Sequence, residues 1–524
     1  MVALIIGSAL RLINLGSVPQ GFTWDEAALG YNAYSIIKTG RDEFGKFLPL
    51  IFKSFGDYKP GVYVYTAVPT IAVFGLSEFA TRLPSALAGI MAIYGVYLLV
   101  KKLSGNHSLA SLSSLALAIS PWHVHFSRGA WEVNLFSTLL LFSIYYFVKF
   151  IRQESSPFPT LVLASISLVT YQAAKMLTPL VFLVLIFIYW KSLIKNFKRF
   201  HQLKTNYWKL APLIIFGLWV YFGTFLGVSG NRLGRLSIFT YKPQLPEPRS
   251  LFHSQTQLTT KLIASRYLYY FSPEVLFYEG PIVSERGHLP RSGMLNSLEF
   301  IWLFLGIIYL AQNFKENWVK LVIALLLISP IPASLTLAEF STFRSLFMVI
   351  PLAIISGAGM YFLLSKSRLL FALIFLVSLF FSYYLYELYF FHGKYVFPKE
   401  FLYGYKQALQ YAKENPSSRV VFTDVFGQPY IYYLFYTGYS PKEYQKSNHF
   451  IDMGIDVGRV DKVGLAEFHQ FGFGDILTYK NTIFVGTEGN IGNNTDLTDP
   501  VIEYYRTVKY PDGKEVYRII KTKN

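Results

Sequence analysis

The chain has 524 residues, of which 53% are hydrophobic, 18% aromatic and only 15% charged, whereas ordinary soluble domains carry about 25% charged residues; a soluble globular protein is excluded. A net charge of +17 would suit nucleic acid only if the basic residues formed a patch on one folded face, and here they collect in short gaps between apolar runs. There is no cysteine, so disulfides and cysteine-ligated metals are excluded.

Apolar runs of roughly 17–25 residues, enough for a helix to cross about 30 Å of hydrocarbon, recur along the chain. Lipid offers the backbone no hydrogen-bond partners, so these runs are read as helices. With the N-terminus inside, eleven spans are predicted near 2–17, 82–101, 107–121, 133–151, 158–172, 176–191, 209–227, 297–313, 318–336, 344–364 and 368–389. Five gaps hold Lys101 and Lys102; Lys149 and Arg152; Lys191, Lys195, Lys198, Arg199, Lys204 and Lys209; Lys315 and Lys320; Lys366 and Arg368. All fourteen then face the cytoplasm, as the positive-inside rule requires. The first run lacks a basic start and a small-residue cleavage site, so it reads as a retained span rather than a signal peptide, with Arg11 snorkelling toward the outer head groups.

Residues 17–81 form a first outer loop too long for a simple connector, and long ordered loops are usually functional. Its segment Gly61 to Leu76 is apolar and aromatic but short of a span, so an interfacial helix is predicted there. A second long outer loop, 228–296, holds Arg232, Arg235, Arg249, Arg266, Glu274, Glu279, Glu285, Arg286 and Arg291. Residues 390–524 change character: Arg419 to Thr423 and Thr482 to Val485 read as strands, Glu400 to Lys413 as a helix, and Pro511-Asp512-Gly513 as a hairpin turn. The expected fold is therefore mainly α, a polytopic membrane module over 1–389 followed by a small mixed α/β domain over 390–524 outside the membrane.

Chemistry is sought first at Trp24-Asp25-Glu26, just past the first span. A carboxylate at a membrane surface can take a proton from an attacking hydroxyl, although an exposed Asp-Glu pair is most often a solvated loop or a helix N-cap. The stretch continues Gly30-Tyr31-Asn32-Ala33, Thr39-Gly40-Arg41-Asp42-Glu43-Phe44-Gly45, Gly56-Asp57-Tyr58-Lys59-Pro60, Glu78-Phe79-Ala80 and Thr81-Arg82-Leu83-Pro84-Ser85. This order of motifs resembles the N-terminal region of the GT-C glycosyltransferases of the protein O-mannosyltransferase and aminoarabinose-transferase group, over residues 1 to about 150. The resemblance implies a catalytic base at Asp25 beside Glu26, and a donor-phosphate ligand at Lys59, where a compact cation meets phosphate oxygens as a point charge. It implies a cavity wall or acceptor role for Arg82, which as a bare arginine at the head of a span would serve as an anchor.

Two further turns are candidates. Arg128 and Glu132 are four apart, so a continuous helix would pair them on one face; the family pattern instead puts them at the cavity, Arg128 toward phosphate and Glu132 in the wall. His123 and His125 alternate without a third ligand, which does not make a metal site. In Ala338-Glu339-Phe340-Ser341-Thr342-Phe343-Arg344, the resemblance makes Arg344 a second phosphate ligand. Glu339 stands where relatives often have a histidine or polar residue, which weakens any acid/base role there and leaves Glu339 to the cavity wall.

No Gly-rich phosphate loop between a strand and a helix is present to bind a nucleotide sugar. The resemblance implies a polyprenyl-monophosphate sugar as donor, a hexose and by family mannose-like, with inversion at the anomeric carbon and no metal or other cofactor. The acceptor is a protein, a lipid or a wall polymer; the membrane is the plasma membrane, and nucleic acid is no partner. The alternative is a lipid or sugar transporter or flippase, which usually carries charges or broken helices at mid-membrane depth, whereas here the suspicious charges lie in loops. A noncatalytic scaffold presenting the tail is the third reading.

Overall fold

The structure is a computed structural model that describes residues 1–202, 237–240, 254–281, 285–289, 292–447, 450–451, 458–493 and 496–523, with 215, 217 and 453. The span expected at 209–227 and the loop arginines Arg232, Arg235, Arg249 and Arg291 lie outside the described residues.

In chain order the elements that matter are α1 (Val2–Leu12), α2 (Trp24–Thr39), β1 (Ile51–Ser54), β2 (Asp57–Pro60), α3 (Val62–Phe74), α4 (Glu78–Ser104), α5 (His107–Ala118), α6 (Pro121–Ser127) and α7 (Glu132–Ile151). There follow α8 (Phe158–Leu168), α9 (Ala174–Gln202), α10 (Gln255–Tyr269), α11 (Glu299–Gln312), α12 (Asn317–Ile328), α13 (Val349–Lys366) and α14 (Arg368–Glu387). The tail adds α15 (Tyr405–Glu414), β3 (Arg419–Phe422), α16 (Pro429–Thr437), α17 (Pro441–Ser447), β4 (Lys462–Val463), β5 (Ala466–Phe468), β6 (Thr482–Gly486), β7 (Ile502–Lys509) and β8 (Glu515–Thr522). Contacts divide the chain into two compact units, one of Met1–Ile13 with Ser85–Tyr389, the other of Asn14–Pro84 with Phe390–Asn524.

The first unit is all helix-on-helix, and the protein is a membrane protein. Among the described residues six helical segments are long and apolar enough to cross a membrane: Glu78–Ser104, Glu132–Ile151, Ala174–Asn196, Asn317–Ser334, Leu346–Lys366 and Arg368–Tyr395. They correspond to six of the eleven predicted spans. The spans expected near 2–17, 107–121, 158–172 and 297–313 are helices of 11, 12, 11 and 14 residues, so the count of eleven is not established. At 1.5 Å per residue such helices reach only about 16 to 21 Å.

Packing in this unit follows the rule for helices in lipid, where close backbone approach replaces the hydrophobic drive. α13 is its central helix, packed along α11 and α5. A Cβ added at Gly359 would sit 1.9 Å from the carbonyl oxygen of Trp302, and one added at Gly306 would sit 2.0 Å from that of Ile355. Only glycine lets these two helices meet at that distance. α14, by contrast, leaves Leu369, Leu373, Leu376 and Phe380 exposed, as a helix facing lipid does.

Arg11 overturns one expectation. It does not snorkel outward: it is fully buried, donating to the carbonyls of Gly7 and Ala118 (both 3.0 Å) and Leu117 (3.3 Å), to Ser127 Oγ (3.2 Å), and lying 2.7 Å from His123 Nδ1. A guanidinium with five donors is better satisfied by the free carbonyls at the end of α5 than by distant head groups, and it ties α1 to α5 and α6.

In the second unit the loop and the tail share one hydrophobic core, joining Phe22, Ala27, Tyr31 and Phe55 to Tyr405, Phe422, Tyr432, Phe435 and Ile519. The tail carries a six-stranded mixed sheet in the order β4-β5-β3-β6-β8-β7. β3 runs parallel to both β5 and β6, whereas β8 is antiparallel to β6 and β7. The predicted strands and the hairpin turn at Tyr510 to Lys514 are present, with Gly513 at φ +87°. The predicted helix over 400–413 begins later, at Tyr405, because Gly404 at φ +112° interrupts it. The apolar segment of the loop is the helix α3, and β1 and β2 form a hairpin pairing Phe52 with Lys59.

Candidate functional site

The acidic motif opens α2. Thr23 is its N-cap, and Glu26 completes a capping box: the Thr23 amide donates to Glu26 Oε2 (3.0 Å) while the Glu26 amide donates to Thr23 Oγ1 (3.3 Å). This arrangement satisfies two otherwise unpaired amides at the start of the helix. Arg82 then grips the same carboxylate, Nε to Oε1 at 2.8 Å and Nη2 to Oε2 at 3.3 Å. Its remaining hydrogens go to the carbonyls of Leu15 (3.3 Å), Pro19 (3.1 Å) and Gly21 (2.8 Å). Both side chains are wholly buried, so Glu26 and Arg82 form a fixed pair that sets the first turn of α2.

Asp25 is different. Its side chain is 33% exposed and pairs with Lys59, 17% exposed, from β2. The Lys59 ammonium also lies 5.3 Å from the centre of the Phe55 ring, a cation–π distance. Adjacent carboxylates thus have opposite fates: the N3 position of the capping box turns Glu26 inward, and the neighbouring position presents Asp25 at an open edge with a single cation.

Sequence reasoning quoted Glu43 but gave it no role. It is fully buried, and it exchanges bonds with Asn32: Asn32 Nδ2 donates to Glu43 Oε1 (3.0 Å) and the Glu43 amide donates to Asn32 Oδ1 (2.9 Å). Glu43 Oε2 and the hydroxyls of Tyr430 and Tyr444 are buried without partners among the described residues. Burial pushes the Glu43 carboxyl up to about 8; the Asn32 bond and the charge of Lys59 oppose the shift and Asp42 adds to it. α2 ends at Thr39 and Gly40 turns the chain, so helical spacing does not carry from Asn32 to Glu43, which is why the contact was not legible.

A stability test follows from Glu43. Its folded value, about 8, exceeds the unfolded value of about 4.3, so the unfolded chain loses its proton first and stability falls as pH rises between them. Thermal unfolding of Glu43→Gln against wild type should show little difference near pH 5. The variant's advantage should grow toward pH 8 and then level off. A difference that does not change with pH would contradict the assignment.

The candidates of the first unit occupy two clusters. Arg128 is wholly buried, with Nη1 on the carbonyl of Leu10 (2.7 Å) and Nη2 on that of Ile13 (2.8 Å), the open carbonyls at the C-terminal end of α1. The face-sharing helix expected for Arg128 and Glu132 does not form: α6 stops at Ser127, and α7 starts at Glu132 after the turn Gly129-Ala130-Trp131. His123 goes to Arg11, and His125 Nε2 lies 2.8 Å from the carbonyl of Arg286.

Arg344 donates from Nη1 to Thr336 Oγ1 (3.2 Å), and Arg266 of α10 donates from Nη1 to the Thr336 carbonyl. Two half-exposed guanidinium groups therefore meet at one residue, and Arg266 Nε has no partner among the described residues. The charges of Arg344 and Glu132 both act on Tyr171. Glu339 lies exposed in the turn before Arg344. Sequence reading named Arg266 as a loop charge only; that α10 carries it to Thr336 is a tertiary fact.

Comparison with known proteins agrees with this architecture. Residues 58–218 match the family model described as dolichyl-phosphate-mannose-protein mannosyltransferase, a match that includes Lys59 and Arg82. No curated protein sequence matches significantly. Among solved structures, ArnT from Cupriavidus metallidurans in the apo state superposes with a TM-score of 0.53 at 12% identity, covering 99% of this chain and 97% of that one. The same ArnT bound to undecaprenyl phosphate gives 0.52 at 13% identity, covering 99% and 96%. The fold is that of the GT-C membrane glycosyltransferases. The family likeness covers residues 58–218, and the likeness to ArnT is one of fold.

Proposed function

We propose that the protein is a glycosyltransferase that moves a hexose, mannose-like by family, from a polyprenyl-monophosphate donor to a hydroxyl-bearing acceptor at the outer face of the plasma membrane, with the N-terminus inside. Asp25 is the general base. It takes the proton of the acceptor hydroxyl as that oxygen attacks the anomeric carbon from the side opposite the phosphate, and the configuration inverts. Lys59 receives the departing phosphate, whose developing charge a preplaced cation stabilises. Arg344, with Arg266 beside it at Thr336, is proposed as a phosphate ligand in the first unit. Arg128, which clamps the end of α1 through Nη1 and Nη2, stays a candidate phosphate ligand. Glu26 and Arg82 hold the turn that carries Asp25, and Glu132 and Glu339 remain candidates for the acceptor wall.

The observation that carries this reading is the contrast within one helical turn: Glu26 is buried and locked by Arg82, while Asp25 is partly exposed and paired with a lysine. That ArnT has been seen with undecaprenyl phosphate supports a lipid-borne donor here. Lys59→Ala should raise the donor concentration needed for half-maximal transfer at least tenfold, about the contribution of one charge-assisted bond of 1.5–3 kcal/mol. Initial rates against donor concentration test this, and an unchanged donor dependence would remove Lys59 from the phosphate site.

A further inference from the structure

The reaction proposed above gives Asp25 and Lys59 separate partners, the acceptor's proton and the donor's phosphate, yet the two side chains are paired with each other. A carboxylate oxygen occupied by an ammonium is not open to an incoming hydroxyl. An ammonium held by a carboxylate is likewise not free for phosphate. The neighbouring pair shows what a permanent link looks like in this fold: Glu26 and Arg82 are wholly buried, doubly bonded to each other, and braced by three backbone carbonyls. Among the described residues the Asp25–Lys59 pair has none of that bracing. Both side chains are partly exposed, and half-exposed ion pairs are weak.

Lys59 is also suited to move. Its backbone is pinned opposite Phe52 in the β1–β2 hairpin, while its ammonium sits on a flexible four-carbon stem beside the Phe55 ring. The donor's phosphodiester has two non-bridging oxygens sharing a negative charge, and the departing monoester carries more, where Asp25 offers one contact, so the lipid phosphate competes for the same cation.

We infer that the Asp25–Lys59 pair is the resting, masked form of the site, an inference that rests on the proposed function: arrival of a lipid-borne phosphate draws the Lys59 ammonium off Asp25 and only then frees the base. Donor binding therefore precedes acceptor activation. The acceptor's O–H proton passes to the Asp25 carboxylate as the new C–O bond forms; the bond from the anomeric carbon to the phosphate oxygen breaks, its electron pair stays on that oxygen, and Lys59 neutralises it. Without donor, neither water nor acceptor meets an unmasked base.

Zero-length carbodiimide crosslinking tests this, because it joins only lysines and carboxylates in direct contact. The full-length protein in detergent should yield an Asp25–Lys59 crosslinked peptide by mass spectrometry. Saturating undecaprenyl phosphate, with binding verified by native mass spectrometry, should lower its yield at least tenfold, while undecaprenol should leave it unchanged. The Lys406–Glu78 pair of the same unit, 2.9 Å apart, is the internal control and should crosslink equally throughout. A yield that persists with bound lipid phosphate, an equal fall with the alcohol, or no crosslink in the empty protein would each overturn the inference. Failure of the underlying reading is separate: it is shown by Asp25→Asn transferring sugar at the wild-type rate, whatever the crosslink does.

Discussion

Asp25→Asn should lower turnover by about 10²- to 10⁴-fold, the usual contribution of a positioned general base, while leaving the thermal unfolding temperature close to that of wild type. The side chain is a third exposed, its backbone is held by the capping box of Glu26 rather than by its own carboxylate, and asparagine keeps its shape. The expected pattern is a loss in kcat with donor affinity kept or tightened, because Lys59 remains and no longer has a carboxylate to neutralise. Measured initial rates and unfolding curves on the same preparation check both halves. Full turnover in the variant would take Asp25 out of the mechanism.

The largest expected effect on stability lies at Arg82, the partner of the adjacent Glu26. Arg82→Met should cost about 3–5 kcal/mol, the range for removing one partner of a buried ion pair, because it strands the Glu26 carboxylate in a wholly buried position and releases three loop carbonyls. The double variant Glu26→Gln with Arg82→Met should recover part of this loss, since no uncompensated charge is left. Denaturation of wild type, the single variants Glu26→Gln and Arg82→Met, and the double variant gives the coupling directly. If Arg82→Met unfolds like wild type, the pair does not hold the acidic turn. The two predictions separate chemistry from architecture: Asp25 governs rate with the fold intact, and Arg82 governs the fold that presents Asp25.

Much of this was legible because it is local or compositional. Runs such as 133–151 and 368–389 are apolar over a full membrane width, and α7 and α14 occupy them. A helix too short to span at Gly61 to Leu76 was marked by its apolar and aromatic character, and α3 is there. In the tail, short β-branched and aromatic stretches and a Pro-Asp-Gly turn were enough to find β3, β6 and the β7–β8 hairpin turn. What was not legible depends on who the neighbours are. An arginine in an apolar run can reach outward or inward, and only the free carbonyls at the end of α5 decide for Arg11. Arg128 and Glu132 have helical spacing, but Gly129 and the following turn break the helix between them. The bond from Asn32 to Glu43 and the meeting of Arg266 with Arg344 at Thr336 connect residues with no common period.

The tail has a physical reason to exist whatever the acceptor is. Tyr432 donates to the carbonyl of Phe22 (2.8 Å), Gln445 donates to Ser35 Oγ (3.0 Å) and Thr39 Oγ1 (2.9 Å), and the rings of Phe22 and Phe435 lie 4.9 Å apart. These contacts grip both ends of α2. The acidic helix thus packs as part of the same unit as the sheet, and its first turn is held by residues more than four hundred positions away.

The account is tested most directly by incubating the purified protein with a polyprenyl monophosphate carrying a radiolabelled hexose, together with membranes from cells lacking this chain as the source of acceptor. The prediction is that label leaves the lipid for the acceptor fraction, that free polyprenyl monophosphate appears in equal amount, and that Asp25→Asn abolishes both. Label that remains on the lipid, or moves across the membrane without leaving its carrier, would contradict it.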